Sequence, residues 1–148
     1  MQSDLWTLYC DGTALPNPGR IAIGAVLSAP DGTRHTLSQV TGTHGCNNEA
    51  EVRALIAALH LARSQGAQSL RVHSDSSILI EQLAASPAAA IVRLDHVFAE
   101  ARALLQNFEH IELCWVPRHR NTEADVLARA ALGLVVKPPH KPRRKRRR

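Results

Sequence analysis

The chain has 148 residues, of which 45% are hydrophobic and only 3% are aromatic. This length and composition predict one domain with an aliphatic core, and they leave too little chain for two domains of ordinary size. No apolar stretch reaches the roughly 18 residues that a membrane span needs, and the N-terminal segment is unlike a secretion signal. We therefore expect a cytoplasmic protein without a membrane partner. Since nothing in the sequence suggests an obligate interface, we also expect a monomer. Three widely separated cysteines argue against a disulfide framework and against a zinc site.

The net charge of +5 combines two regions of opposite sign. All 13 acidic residues precede residue 137, so residues 1–136 carry 10 basic and 13 acidic side chains, a net charge of −3. The other eight basic residues are Lys137, Lys141, Arg143, Arg144, Lys145, Arg146, Arg147 and Arg148. Such a segment cannot bury enough apolar surface to offset its ordering entropy. We expect a domain over residues 1–134 and a disordered basic tail over residues 135–148.

The first 42 residues predict three strands. Strong β formers extend over residues 5–10 and end at Asp11 and Gly12, before a loop rich in proline and glycine. The next strands are predicted over residues 21–28 and 33–42, with a turn between them. Three consecutive strands with short connections form an antiparallel meander.

The rest of the chain alternates between helical and strand patterns. From Asn48 the apolar period changes from two to about 3.6, which predicts an amphipathic helix up to Gly66. A strand over residues 70–74 runs directly into a second helix that breaks near Pro87, and this order requires a parallel crossover.

A third helix over residues 91–108 and a fifth strand over residues 111–116 follow. The last helix begins near Thr122, and the side chains predicted to be buried on it are Leu127, Ala130, Ala131 and Leu134. The predicted fold class is α/β: a five-stranded mixed sheet, with three antiparallel strands and then two parallel ones, flanked by helices.

Four acidic residues occupy informative positions. Asp11 directly follows a strand that should be central, and Asp75 lies between a strand and the next helix. Glu51 lies beside the apolar stripe of its helix, where a charge is costly unless something compensates it. Asp125 lies near the start of the last helix. Taken singly, each has an ordinary explanation as a turn residue, a capping residue or a first-turn acid.

Taken together, the four acids predict a metal site. Ligands of α/β sheets bind at the carboxyl ends of parallel strands, where Asp11 and Asp75 should meet, and the helices can bring Glu51 and Asp125 there. Converging carboxylates repel one another and raise one another's pKa unless a cation neutralises them. Ligands that are all oxygen favour Mg²⁺ or Mn²⁺ over zinc. Two such ions about 3.5–4 Å apart suit phosphodiester hydrolysis.

Four sequence blocks resemble those of ribonuclease H type 1, in its short form without a basic protrusion. They are D-G-x-x-x-x-N-P-G at residues 11–19, N-N-x-x-E at 47–51, D-S at 75–76 and W-V-x-x-H-x-N-x-x-A-D-x-L-A at 115–128. The resemblance implies a ribonuclease H-like fold. It also implies an endonuclease that hydrolyses the RNA strand of an RNA–DNA hybrid with two Mg²⁺ or Mn²⁺ ions, leaving 5′-phosphate and 3′-hydroxyl ends.

The resemblance also implies roles for individual residues. Asp11, Glu51, Asp75 and Asp125 correspond to the catalytic metal ligands, and His119 to a histidine that assists proton transfer or product release. The positions that correspond to nucleic-acid contacts are Gly12, Asn17, Asn47, Asn48, Ser77 and Asn121. An asparagine amide can distinguish a 2′-hydroxyl from a hydrogen. Ser77 stands where the family often has glutamine, and the loop between His119 and Asp125 is short.

The family's basic protrusion is replaced by a small apolar segment at residues 87–92, which leaves the acidic domain without an obvious contact to a polyanion. The basic tail is a candidate for that contact. Two alternatives stay open. One is a non-catalytic nucleic-acid-binding module of the same fold, although all four acids are present. The other is a DNA strand transferase or exonuclease, although such relatives usually lack the Asn47-Asn48 pair and the block around His119.

Overall fold

The computed structural model describes residues 4–84 and 92–134. The predicted helix break near Pro87 and the predicted tail over residues 135–148 lie outside the described residues. The elements are β1 (Leu5–Leu15), β2 (Gly19–Ser28), β3 (Arg34–Gly45), α1 (Asn47–Ser64), β4 (Ser69–Ser74), α2 (Ser77–Leu83), α3 (Asp95–Leu105), β5 (His110–Trp115) and α4 (Thr122–Ala131). A short 3₁₀ turn precedes α3 and another precedes α4.

The five strands form one mixed sheet in the order β3-β2-β1-β4-β5. Strand β1 pairs antiparallel with β2 and parallel with β4, and β4 pairs parallel with β5. Because β1 lies between the antiparallel and the parallel half, its backbone is paired along both edges. The predicted fold class is confirmed.

Strand β1 is longer than the sequence predicted. It continues through Asp11 and Gly12 to Leu15, because its antiparallel ladder with β2 extends as far as Leu15. The parallel ladder between β1 and β4 stops at Tyr9. Asp11 therefore lies just beyond the last parallel pair, although it is still inside a strand. The prediction that the strand ends at the Asp-Gly pair is wrong, whereas the position of Asp11 next to the end of β4 is as expected.

The main core lies between the sheet and helix α1, and helix α3 packs against α1. Leu8 of β1 and Leu55 and Leu59 of α1 are fully buried there. Burying one such leucine stabilises the fold by about 1.5–3 kcal/mol. The lack of a side chain at Gly12 of β1 allows α1 to lie close to the sheet, since a Cβ added there would be 2.0 Å from the carbonyl oxygen of Ala50. Backbone contact with β1 therefore fixes the start of α1.

Helix α4 covers the opposite face of the sheet with a different set of residues from the predicted one. Ala124 and Ala128 are the buried residues of α4, whereas Leu134, beyond its end, is 42% exposed. The reason is Gly24 of β2, where an added Cβ would lie 2.2 Å from the carbonyl oxygen of Ala124. The backbone of α4 at Ala124 and Ala128 therefore lies directly against β2. The predicted burial of Ala130 and Leu134 is therefore wrong.

Two polar contacts hold α4 against β3. Arg34 pairs through its guanidinium with the carboxylate of Glu123. The hydroxyl of Ser38 donates to the carbonyl oxygen of Leu127 at 2.6 Å. The helix is thus fixed to β3, the edge strand of the antiparallel half.

The three cysteines are free thiols, of which Cys10 is buried and Cys46 and Cys114 are half-buried. In the described part of the chain, none of the helices combines the length and the apolar character that crossing a bilayer requires.

Candidate active site

Three chain segments deliver acids to one edge of the sheet. Asp11 lies in β1 opposite Gly24, and Asp75 directly follows β4. Ser76, not Asp75, caps helix α2, since its hydroxyl accepts the N–H of Leu79 at 3.1 Å. The capping explanation of Asp75 is therefore unnecessary, and its carboxylate can serve the site.

The carboxylates of Asp11, Glu51 and Asp75 converge. One ligand oxygen from each lies within 4.8 Å of the others. Asp11 is only 5% exposed, and Oε2 of Glu51 is buried without a hydrogen-bond partner among the described residues. Asp11, Glu51 and Asp75 thus lie together in the structure, as the sequence predicted.

Asp125 lines the same cavity but lies outside this group of three. Its Oδ1 accepts a hydrogen bond of 3.1 Å from Nε of Arg129, one turn further along α4. Asp125, the fourth predicted ligand, is thus adjacent to the cluster and forms an ion pair with Arg129.

Two of the carboxyls, those of Asp11 and Glu51, have raised pKa values. Burial, together with repulsion from Asp75 and Asp125, raises the pKa of Asp11 from 3.8 to about 7. Burial, followed by repulsion from Asp11, raises the pKa of Glu51 well above its ordinary value. Desolvation and like charges act in the same direction here. Without a cation, the folded protein therefore holds protons on carboxyls that would be ionised in the unfolded chain.

The donor set fits a hard divalent cation. Oxygens that bind one Mg²⁺ at about 2.1 Å lie up to roughly 4.2 Å apart, so small side-chain movements would bring the three oxygens into coordination. The buried Oε2 of Glu51 lacks a partner that an ion could supply. Carboxylates without histidine or cysteine suit Mg²⁺ or Mn²⁺ and not zinc.

The cavity around the acids has a volume of about 260 Å³. Besides the four acids, its lining includes Gly12, Asn17, Asn47, Arg118 and Arg129. Asn17 and Asn47, both predicted to contact nucleic acid, also form hydrogen bonds within the protein. Oδ1 of Asn17 accepts the N–H of Asn47 at 3.1 Å, and Oδ1 of Asn47 accepts the N–H of Ala14 at 2.9 Å. These bonds join the loop after β1 to the start of α1 at the cavity rim.

The remaining predicted site residues lie in different environments. Asn48 is half-buried at the start of α1, and Ser77 is exposed at the start of α2. His119 is exposed and is not part of the cavity lining. Asn121 is 1% exposed, and its amide is bonded to Cys10 and Asp75. Its burial contradicts the predicted contact with nucleic acid, because a side chain enclosed by protein cannot touch a bound strand.

Sequence reasoning missed the two arginines of the cavity. Arg118 and Arg129 both face the acids, from the turn before α4 and from α4 itself. The signal for Arg129 was available, since a basic residue four positions after Asp125 on a helix can pair with it. The sequence held no comparable signal for Arg118. The neighbouring His119 was the more obvious candidate for a functional residue in that turn.

Comparison with known proteins gives the family of this chain. The family model described as reverse transcriptase-like matches residues 9–131. A solved structure of the N-terminal RNase H domain of Rv2228c from Mycobacterium tuberculosis is 36% identical, with a TM-score of 0.78, over 86% of this chain and 98% of that one. The chain belongs to the ribonuclease H family. A ribonuclease HI from Halobacterium salinarum is 36% identical over 124 residues, 84% of this chain and 62% of that protein.

Another solved structure, LC11-RNase H1 in complex with an RNA/DNA hybrid, is 28% identical, with a TM-score of 0.77, over 86% of this ribonuclease H chain and 96% of that one. The full-length bifunctional protein Rv2228c of M. tuberculosis is 37% identical over 129 residues, which are 86% of this chain but 35% of that protein. This ribonuclease H chain thus spans about a third of that relative.

Proposed function

We propose that this protein is an endoribonuclease that hydrolyses the RNA strand of RNA–DNA hybrids and requires divalent metal ions. The observation that carries the proposal is the convergence of Asp11, Glu51 and Asp75 within 4.8 Å around a buried, unpartnered oxygen. The cluster has no stabilising role of its own, since burial and mutual repulsion disfavour its charged form. Its cost to the fold is understandable if it binds cations.

Asp11, Glu51 and Asp75 would hold the first ion, and Asp125 would join Asp11 in holding a second. Two such ions, when bound, supply an activated water on one side of the phosphodiester and charge stabilisation for the leaving 3′ oxygen on the other, which gives 5′-phosphate and 3′-hydroxyl ends. The protein keeps the acids at fixed separations, because β1, β4 and α1 meet there through backbone contacts. Such preorganisation spares reorganisation of the site during reaction.

The rim of the cavity supports recognition of a hybrid. In Asn17 and Asn47 the carbonyl oxygen of each amide is used by the fold, so the NH₂ groups are the donors that each can offer to a phosphate or a 2′-hydroxyl. Gly12, Asn48 and Ser77 are further contacts expected from the family. That LC11-RNase H1 has been solved with an RNA/DNA hybrid supports the same substrate class for this chain. The role of His119 in proton transfer or product release stays a prediction.

One cleavage assay tests the proposal. Labelled RNA–DNA hybrid, duplex RNA and duplex DNA are incubated with the protein, with Mn²⁺, with Mg²⁺ and with a chelator. Asp75→Asn is compared with the wild type, and Asp95→Asn, at the exposed start of α3, is the matched control. We expect metal-dependent cutting of the hybrid, loss of cutting in the first variant and retention in the second. Binding of the hybrid without cutting would support the non-catalytic alternative, and cutting of duplex DNA the strand transferase or exonuclease.

We also propose that the basic tail contributes to substrate affinity. The described domain carries excess negative charge, and Lys137, Lys141 and the arginines that follow add eight positive charges. Phosphate contacts by basic residues release counterions and give affinity that falls with salt. Removing residues 137–148, or replacing their basic residues by glutamine, should weaken hybrid binding and flatten its salt dependence. An unchanged slope of log K against log salt would refute this role.

The boundary at residue 134, the cytoplasmic location and the monomeric state stay predictions.

A further inference from the structure

Asn121 lies where three of the four acid-bearing segments meet. Its Nδ2 donates a hydrogen bond of 2.9 Å to the backbone carbonyl of Cys10, the residue before Asp11. The same Nδ2 donates at 3.1 Å to Oδ2 of Asp75. The backbone carbonyl of Asn121 accepts the N–H of Asp125 at 3.2 Å. Asn121 is thus hydrogen-bonded to the carboxylate of Asp75, to the backbone next to Asp11 and to the backbone of Asp125.

Neither nucleic-acid contact nor helix capping accounts for this side chain. Asn121 is 1% exposed, so a bound strand cannot reach it. It occupies the N-cap position of α4, where asparagine is common, but its side chain makes no capping bond. The amide is directed into the acid cluster instead.

The position also carries an energetic cost. Oδ1 of Asn121 is buried and has no hydrogen-bond partner among the described residues. An unsatisfied buried acceptor lowers the stability of the fold, a loss that an apolar side chain of the same size would avoid. An asparagine at this position therefore needs a reason other than stability. The two hydrogen bonds that Nδ2 donates, to Cys10 and Asp75, supply that reason.

We propose that Asn121 is a positioning residue of the metal site and acts through Asp75, an inference that rests on the proposed function. Its bond to Oδ2 fixes the orientation of the Asp75 carboxylate, and its bond to Cys10 ties that carboxylate to the strand that carries Asp11. Groups that hydrogen-bond a ligating carboxylate orient it, and their loss typically lowers metal affinity about 10- to 100-fold. The same loss is expected here.

The test compares Asn121→Leu, which is close in size but has no donor, with Asn107→Leu at an exposed position after α3. Mn²⁺ binding is measured by calorimetry in the absence of nucleic acid, and folding by thermal unfolding with a chelator. We expect Asn121→Leu to bind Mn²⁺ about 10- to 100-fold more weakly, and Asn107→Leu to bind it like the wild type. In the cleavage assay, kcat should fall while KM for the hybrid changes little, because Asn121 does not contact the substrate.

Unchanged Mn²⁺ affinity in a folded Asn121→Leu protein would overturn the inference. If the wild type binds Mn²⁺ but does not cut the hybrid, the proposed function fails, and the comparison of affinities still decides the role of Asn121. If Asn121→Leu does not fold, the wild type provides the decision: the NMR signals of the Asn121 side-chain NH₂ should shift during Mg²⁺ titration in parallel with those of Asp75. A titration that leaves them unmoved contradicts the positioning role.

Discussion

Replacing Asp11 by asparagine should stabilise the metal-free protein at neutral pH, although it removes a proposed catalytic group. The reason is the raised pKa of Asp11, about 7 in the folded protein against 3.8 ordinarily. Between these values the folded state holds a proton that the unfolded state has released. Stability falls as pH rises wherever the folded state binds more protons than the unfolded state. This carboxyl therefore makes stability fall between about pH 4 and about pH 7. Asparagine has nearly the same shape and no charge to desolvate.

The magnitude follows from the two pKa values. At about 1.36 kcal/mol per pH unit, the carboxyl destabilises the metal-free fold by roughly 1.5 kcal/mol at pH 5 and about 4 kcal/mol at pH 8. Since Asp11 is almost fully buried, solvent screening reduces this figure little.

Urea denaturation with a chelator, followed by circular dichroism at pH 5 and pH 8, measures the difference. Asp11→Asn should exceed the wild type in stability at both pH values, and by more at pH 8, whereas Glu109→Gln, at an exposed position, should show no such gain. Adding Mn²⁺ at pH 8 should stabilise the wild type and have much less effect on Asp11→Asn, because binding to the folded state alone adds stability. A stability difference between Asp11→Asn and the wild type that is the same at pH 5 and pH 8 would show that Asp11 is not held protonated by the fold.

Three further predictions concern the surroundings of the cluster. Gly12→Ala should lower both stability, by about 1–3 kcal/mol or more, and hybrid cleavage, because its Cβ would displace the backbone at Ala50; unfolding and cleavage rates check this. Arg118→Gln should weaken hybrid binding and reduce the salt slope by about 1, as expected for one lost phosphate contact, while His119→Gln should leave the slope unchanged; binding titrations at several salt concentrations decide. Leu59→Ala should cost about 2–5 kcal/mol in urea denaturation yet leave cleavage at low temperature near the wild-type level.

Periodicity and strand order were sufficient to predict the architecture and the meeting of three acids. The positions of Asp11, Glu51 and Asp75 depend on which strand is central and on how α1 follows the meander, and both are encoded in local patterns. The same reasoning mistook Asp11 and Gly12 for a strand end, because an Asp-Gly pair usually marks a turn. The pairing with β2 overrides that preference, and this pairing is a tertiary effect.

The sequence failed where contacts between distant segments decide. The buried face of α4 is set by Gly24, about 100 residues earlier in the chain, which the helix backbone approaches at Ala124 and Ala128. Asn121 resembled a surface contact because neither its burial nor its bond to Cys10 has a local signal. Pairing of Asp125 with Arg129 has a local signal, but its consequence for the metal site depends on where α4 lies.

Two glycines, one in the acid-bearing strand β1 and one in its neighbour β2, bring helix backbones close to opposite faces of the sheet. Gly12 touches the backbone of α1, and Gly24, the neighbour of Asp11 across the ladder, touches the backbone of α4. At these two points, the helices that carry Glu51 and Asp125 meet the sheet through main-chain atoms, whose volume does not vary between sequences. Aliphatic residues elsewhere in the interior can change during evolution, at a cost in stability alone, while the spacing of the carboxylates is retained.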